Sequence, residues 1–265
     1  MMRLNDPPLA LEEAGDAGAP LLVFLHGVGG SRHNWAPQLA HFGGRFHALA
    51  WDARGYGDSI GTPVRCFTDF ADDLAAVIGH FGGRNGSGAH LVGLSMGGRI
   101  ALDCWRRYPG LVASLTLADT SAGAAPPPDK VAAFMALRRK PLEEGRTMAE
   151  IAPGIVDSIA GPGISAEVRA ALLASHSALD PVTYLATLEA VTAFSDFPPL
   201  AGISVPVLVM AGEHDPIATP AFASGMAAAI PGARFEMIAG AGHVSNLEAP
   251  ELFNAALDAF LAEAA

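Results

Sequence analysis

The hydrophobic positions fall into two rhythms that alternate along the chain. Pro20-Leu21-Leu22-Val23-Phe24-Leu25, Phe46-His47-Ala48-Leu49-Ala50-Trp51 and Val205-Pro206-Val207-Leu208-Val209-Met210 are short, nearly continuous apolar runs. Runs of this kind suit strands buried on both faces. Between them, Phe67, Phe70, Leu74, Val77, Ile78 and Phe81 recur at helical spacing and predict one apolar stripe laid against a sheet. Further strands are expected at 9–13, 89–94, 111–118 and 233–238. A helix is expected from 96 to a stop at Pro109-Gly110, and a last one over 251–261. The glycine-rich stretch 82–88 reads as a flexible connector. Strands alternating with helices predict an α/β fold, with a mostly parallel sheet covered by helices on both faces.

The alternation lapses after Ser121. Ala124-Ala125-Pro126-Pro127-Pro128 marks a break, and only helix-like segments follow until about residue 200. The expectation is one domain, with a core over about 1–120 and 201–265 and a helical insertion over about 121–200. Beside a site, such an insertion usually acts as a lid. A separately folded domain is the lesser alternative, because about 80 residues of low aromatic content make a thin core.

The chemistry concentrates where strands end. Gly93-Leu94-Ser95-Met96-Gly97 sits between a strand and a helix. A serine there is held on a strained turn with its hydroxyl exposed and helix amides at hand. Gly57-Asp58-Ser59-Ile60-Gly61 matches the same pattern, but it lies among turn residues with no helix directly after it. Ser95 is therefore the candidate nucleophile and Ser59 a loop residue. His26-Gly27-Val28-Gly29-Gly30 also follows a strand, and Arg32 stands where a dinucleotide loop would need its last glycine. Such a loop can instead aim a backbone amide at a bound oxygen. Asp119, Asp215 and His243 fall at or just past other strand ends, where ligands of open parallel sheets bind. Asp52 and Arg54 are expected to tie the loop beneath the site.

A formal charge of −11 argues against nucleic acid or an anionic membrane as partner. Cys66 and Cys104 fit no disulfide framework and are expected to be reduced and packed. The N-terminus shows no signal pattern, no stretch has the length of a membrane helix, and no metal-ligand spacing occurs. A cytoplasmic protein needing no metal or cofactor is expected, with its oligomeric state open.

These motifs resemble the α/β-hydrolase fold over nearly the whole chain outside the insertion. The resemblance implies a triad in the order nucleophile, acid, base: Ser95, Asp215 and His243. Asp119 stays open as a rival acid. The implied oxyanion hole is the backbone amides of Met96 and Val28. Gly93-Leu94-Ser95-Met96-Gly97-Gly98, Trp35-Ala36-Pro37-Gln38 and His243-Val244-Ser245-Asn246-Leu247-Glu248-Ala249-Pro250 are most similar to 3-oxoadipate enol-lactonases, which open an enol-lactone in aromatic breakdown. A general carboxylesterase or another lactonase is the main alternative. A carbon–carbon bond hydrolase or a non-catalytic ligand receptor on the same fold ranks lower. Gly27, Trp35, Phe134, Arg138 and Arg139 are the candidate substrate contacts, the arginines for a substrate carboxylate. Against the family pattern the N-terminal segment looks short, as though the first strand were missing.

Overall fold

The structure is a computed structural model describing residues 2–61, 63–82, 88–122 and 127–264. The expected connector over 83–87 and most of the break at 124–126 lie outside the described residues. Among the described residues eight strands form one sheet: β1 (Met2–Asn5), β2 (Pro8–Ala14), β3 (Leu21–Leu25), β4 (His47–Trp51), β5 (Ala89–Leu94), β6 (Val112–Ala118), β7 (Val207–Gly212) and β8 (Arg234–Ile238). Their order is β1-β2-β4-β3-β5-β6-β7-β8. β1 pairs antiparallel with β2, and β2 with β4; every other pairing is parallel.

The strand expected to be missing is therefore present. Met2–Asn5 forms a hairpin with β2, registering Leu4 against Leu9. Its four residues are too few to show an alternating pattern.

The apolar runs divide by parity, as the two-residue repeat of a strand requires. In β3, Leu21, Val23 and Leu25 enter one core cluster while Leu22 and Phe24 enter the other. In β7, Val207, Val209 and Ala211 separate from Leu208 and Met210 in the same way. The first cluster packs against α2 (Thr68–Phe81), α3 (Met96–Arg107) and α8 (Pro220–Ala228). The second packs against α1 (Ala36–Phe42) and α10 (Pro250–Ala264). Among the described residues between β6 and β7 lie the helices α4 (Pro128–Glu143), α5 (Met148–Asp157), α6 (Ala166–Ser177) and α7 (Pro181–Ala193). A short helix, α9 (Ser245–Glu248), precedes α10. Among the described residues no helix is long and apolar enough to cross a membrane.

Chain order reverses at β3. The chain steps from β3 to β4 on one side, then returns to place β5 on the other. The loops leaving β3 and β5 diverge there and open a crevice at the carboxyl edge.

Polar groups buried beneath this edge hold it in place. Arg54 makes a two-pronged pair with Asp73 at 2.6 and 2.6 Å. Asp52 accepts from the Arg32 guanidinium and from the backbone of Arg32 and Asp58. Ser59 is fully buried, donating to the Asp52 carbonyl at 2.7 Å and accepting from the Ala10 amide at 2.8 Å. Cys104 is buried, but Cys66 is exposed, contrary to the expectation that both are packed, because it lies in the loop leading into α2 rather than on a core-facing strand or helix.

The turn from β5 into α3 tolerates no added bulk. A Cβ on Gly93 would sit 2.3 Å from the Gly97 carbonyl, and one on Gly97 would sit 2.1 Å from the Leu25 carbonyl. Backbone cannot yield as a side chain can, so overpacking here should cost about 1–3 kcal/mol. Gly93→Ala is therefore expected to lower the midpoint of thermal unfolding by roughly 3–10 °C. Circular dichroism melts check this, and an unchanged midpoint would contradict the close approach.

Candidate active site

Ser95 occupies the turn with φ 54° and ψ −115°, a region that side-chain-bearing residues rarely enter and that costs of order 1–3 kcal/mol. Hydrogen bonds on both sides of the residue hold it there. Its amide donates to the Ala118 carbonyl at 2.9 Å, and its carbonyl accepts from Thr120 Oγ1 at 2.6 Å and from the Gly98 amide at 3.1 Å. The hydroxyl is left half-buried at the head of α3.

Ser95 Oγ lies 2.9 Å from His243 Nε2, and His243 Nδ1 lies 2.8 Å from Asp215 Oδ2. The carboxylate fixes the tautomer: Nδ1–H donates to Asp215, leaving Nε2 as acceptor for the serine hydroxyl. The other Asp215 oxygen accepts from the amides of Ile217 and Ala218 at 2.7 and 2.9 Å. Burial raises the Asp215 carboxyl, but its bond to His243, that residue's charge and the two amides outweigh it and leave the pKa low. Burial likewise opposes the His243 imidazolium. The hydrogen bond and charge of Asp215, with the charges of Asp119 and Glu248, overcome it and raise the pKa above 6.5.

Asp119 is not bonded to the imidazole. Its Oδ1 accepts from the Gly212 amide at 2.8 Å, and its Oδ2 from the Ser245 amide and hydroxyl at 3.0 and 2.6 Å. It thereby joins the end of β7, three residues before Asp215, to the residue two beyond His243. Burial, reinforced by the neighbouring Asp215 charge, pushes Asp119 up to about 6.

The glycine loop after β3 flanks the same serine. A Cβ on Gly27 would lie 3.0 Å from Ser95 Cβ. His26 braces the loop from beneath: Nδ1–H donates to the Gly27 carbonyl at 2.8 Å, and Nε2 accepts from the Ala53 amide at 3.0 Å. Acceptance at Nε2 requires a neutral ring, consistent with burial holding its pKa low.

Ser95 and His243 open on a cavity of about 290 Å³, which Gly27, Val28 and Trp35 also line. Its far wall comes from the helices between β6 and β7, including Phe134, Ile155, Leu172, His176, Tyr184 and Leu188. Arg138 is the one Lys or Arg side chain among the described lining residues, half-buried with its guanidinium 5.4 Å from the Phe134 ring centre. Arg139, named with it from the sequence, does not line the cavity. It pairs with Glu189 on α7, because adjacent residues of a helix project about 100° apart. Met96 is buried under the serine and offers only its backbone. His176, Tyr184 and Ile217 were not singled out from the sequence, and nothing in their local pattern separates them from ordinary packing. Among the described residues, no group of three or more His, Cys, Asp or Glu could hold a metal ion.

The expected signature is a His243 imidazole that titrates above 6.5 by NMR. In Asp215→Asn, where burial remains and the charge is gone, the midpoint should fall below 6.5. An intact-protein midpoint at or below 6.5 contradicts the described pairing.

The sequence profile of the Alpha/beta hydrolase family matches residues 22–256. The chain is 28% identical to 3-oxoadipate enol-lactonase 2 of Acinetobacter baylyi, over 97% of this chain and 94% of that protein. Among solved structures it resembles an esterase from Thermogutta terrifontis, with a TM-score of 0.87 and 29% identity, covering 97% of this chain and 94% of the other. It also resembles the enol-lactonase of Burkholderia xenovorans, with a TM-score of 0.83 and 27% identity over 98% of each chain. A strand order that reverses at the site, a strained serine between β5 and α3 and a family profile running from β3 into α10 lead to one conclusion: this chain belongs to the alpha/beta hydrolase family and is a hydrolase with esterase and lactonase relatives.

Proposed function

We propose that the protein is a serine hydrolase that cleaves a carboxylic ester or lactone through an acyl-enzyme. The carrying observation is the hydrogen-bonded chain from Ser95 through His243 to Asp215, opening on an apolar cavity. A serine hydroxyl is a weak nucleophile until a base takes its proton. His243 Nε2 removes it as Oγ attacks the carbonyl carbon, and Asp215 stabilises the imidazolium that forms. The amides of Met96 and Val28 hold the tetrahedral oxyanion, each such donor being typically worth roughly 3 kcal/mol of barrier. The imidazolium then protonates the leaving oxygen, and a water activated by the same base hydrolyses the acyl-enzyme. The helices over 128–193 act as a lid, forming the acyl side of the pocket and excluding water from it.

The finer reading is an enol-lactonase-like activity on a small lactone bearing a carboxylate. Arg138 supports it as the cation on the cavity wall, and so does the likeness to proteins that bear that name. A second reading, a general esterase for neutral apolar esters, is favoured by the rest of the lining, which is mostly aliphatic and aromatic.

Ser95→Ala is expected to abolish labelling by a fluorophosphonate probe and nearly all turnover of a short p-nitrophenyl ester. Ser59→Ala should label normally, since its hydroxyl is buried in the hairpin contact. The reverse result would overturn the assignment. Because His243 must be neutral to accept the proton, kcat/KM should fall as pH drops through its raised pKa, above 6.5.

Arg138→Ala separates the two substrate readings. Loss of a charge-assisted bond of roughly 1.5–3 kcal/mol should lower kcat/KM for an anionic enol-lactone about ten- to a hundredfold. The neutral ester should be spared, and Arg139→Ala should affect neither. Equal effects on both substrates would favour the neutral-ester reading.

A further inference from the structure

The glycine loop that lines the site is held from the far side of the cavity. The Gly30 amide donates to the Gly27 carbonyl at 3.0 Å, and Gly29 has φ +83°. Together these describe a tight turn with Val28 and Gly29 at its centre, of the kind that requires glycine at the third position. The same turn places Gly29 against α6. Ser175 Oγ donates to the Gly29 carbonyl at 2.5 Å, a contact between residues 146 apart in the sequence. The His176 ring lies so close over Gly29 that a Cβ there would come within 2.1 Å of Nε2. His176 is itself fixed: Nδ1–H donates to the Leu172 carbonyl at 2.9 Å, and burial keeps the ring neutral. The Gly29 peptide is thus gripped on its carbonyl and on its open α-carbon face by two consecutive residues of one helix.

We propose that Ser175 and His176 are positioning residues that hold the Val28 amide in register with Ser95. The oxyanion pocket is then complete only while α6 is seated on the glycine turn. This rests on reading Ser95 as the nucleophile and Val28 as an oxyanion donor. A turn with glycine at three of its four positions is the least constrained backbone at the site, and a hydrogen-bond donor stabilises developing charge only when its position is set in advance. Buried His26 secures the turn from the sheet side, and Ser175 and His176 of α6 secure it at Gly29. His176 is also part of the cavity wall while Ser175 lies outside it, so one helix both shapes the acyl pocket and tunes the chemical step.

The test compares Ser175→Ala with Ser175→Thr, which keeps a hydroxyl. Removing an oxyanion donor outright costs about 10²–10³ in kcat, so loosening its support should cost about tenfold. KM for the p-nitrophenyl ester should stay within about twofold, and threonine should restore most of the rate. Phenylboronic acid, whose tetrahedral adduct on Ser95 places an oxygen in the oxyanion position, should bind the alanine variant more weakly by a similar factor. Circular dichroism at the assay temperature reports whether each variant is folded. If alanine unfolds the protein, Ser175→Cys, a weak donor of similar size, provides the same contrast. Wild-type kcat and boronate affinity in a folded Ser175→Ala overturn the proposal, as does a kcat loss that threonine does not restore. Ser95→Ala run alongside distinguishes the two levels: activity surviving in it refutes the nucleophile, whereas its loss beside an unimpaired Ser175→Ala refutes only the positioning role.

Discussion

The site depends on one steric constraint, the contact between the backbones of β5 and α3 around Ser95. Gly93 meets the Gly97 backbone and Gly97 meets the Leu25 carbonyl, with no room for a side chain at either position. The approach forces Ser95 to positive φ, lifts its hydroxyl off the sheet and aims the first turn of α3 at the same point. A strained residue persists only where its surroundings overdetermine it. Here the end of β6 and the loop after it do so, through the Ala118 carbonyl and Thr120.

The second layer of order is electrostatic and is carried by two buried carboxylates with separate partners. Asp215 faces the imidazole and is kept ionised by it and by two amides. Asp119 faces away, toward the amide and hydroxyl of Ser245, and ties the ends of the two loops that carry Asp215 and His243. Asp215 gathers its own loop through the Ile217 and Ala218 amides, and Asp119 joins that loop to the one carrying His243. Burial of both carboxylates leaves these few charges poorly screened, which strengthens each of them.

Much of this could be read from the chain, for identifiable reasons. A Gly-x-Ser-x-Gly pattern at a strand end is informative because close packing leaves no freedom at its glycines. Ser95, Asp215 and His243 lie beyond strand ends on one edge, and their side chains meet there. Gln38 and Asn246, quoted among the motifs, meet across 208 residues where the Gln38 amide donates to the Asn246 carbonyl at 3.0 Å. What stayed hidden lacks a local trace. Arg138 and Arg139 could not be told apart because α4 buries no residue and so has no face legible in its pattern. The grip of Ser175 on Gly29 joins distant segments whose own patterns say nothing of each other. The first strand was missed because four residues are too few to show a period.

Arg99, one turn beyond the serine, is a buried guanidinium whose pKa burial lowers to about 10. It donates through Nε to the Ser121 carbonyl at 3.1 Å and through Nη1 to the Val191 carbonyl at 2.7 Å. One side chain thus stitches together the departure and the return of a 70-residue excursion. With both ends pinned at one point, the excursion is in polymer terms a closed loop, and the entropy of closing such a loop grows only with the logarithm of its length. Doubling it would cost roughly 0.6 kcal/mol. Helices could be gained or lost between those ends at little expense to the sheet, leaving the pocket wall free to vary in length while the serine turn stays unchanged.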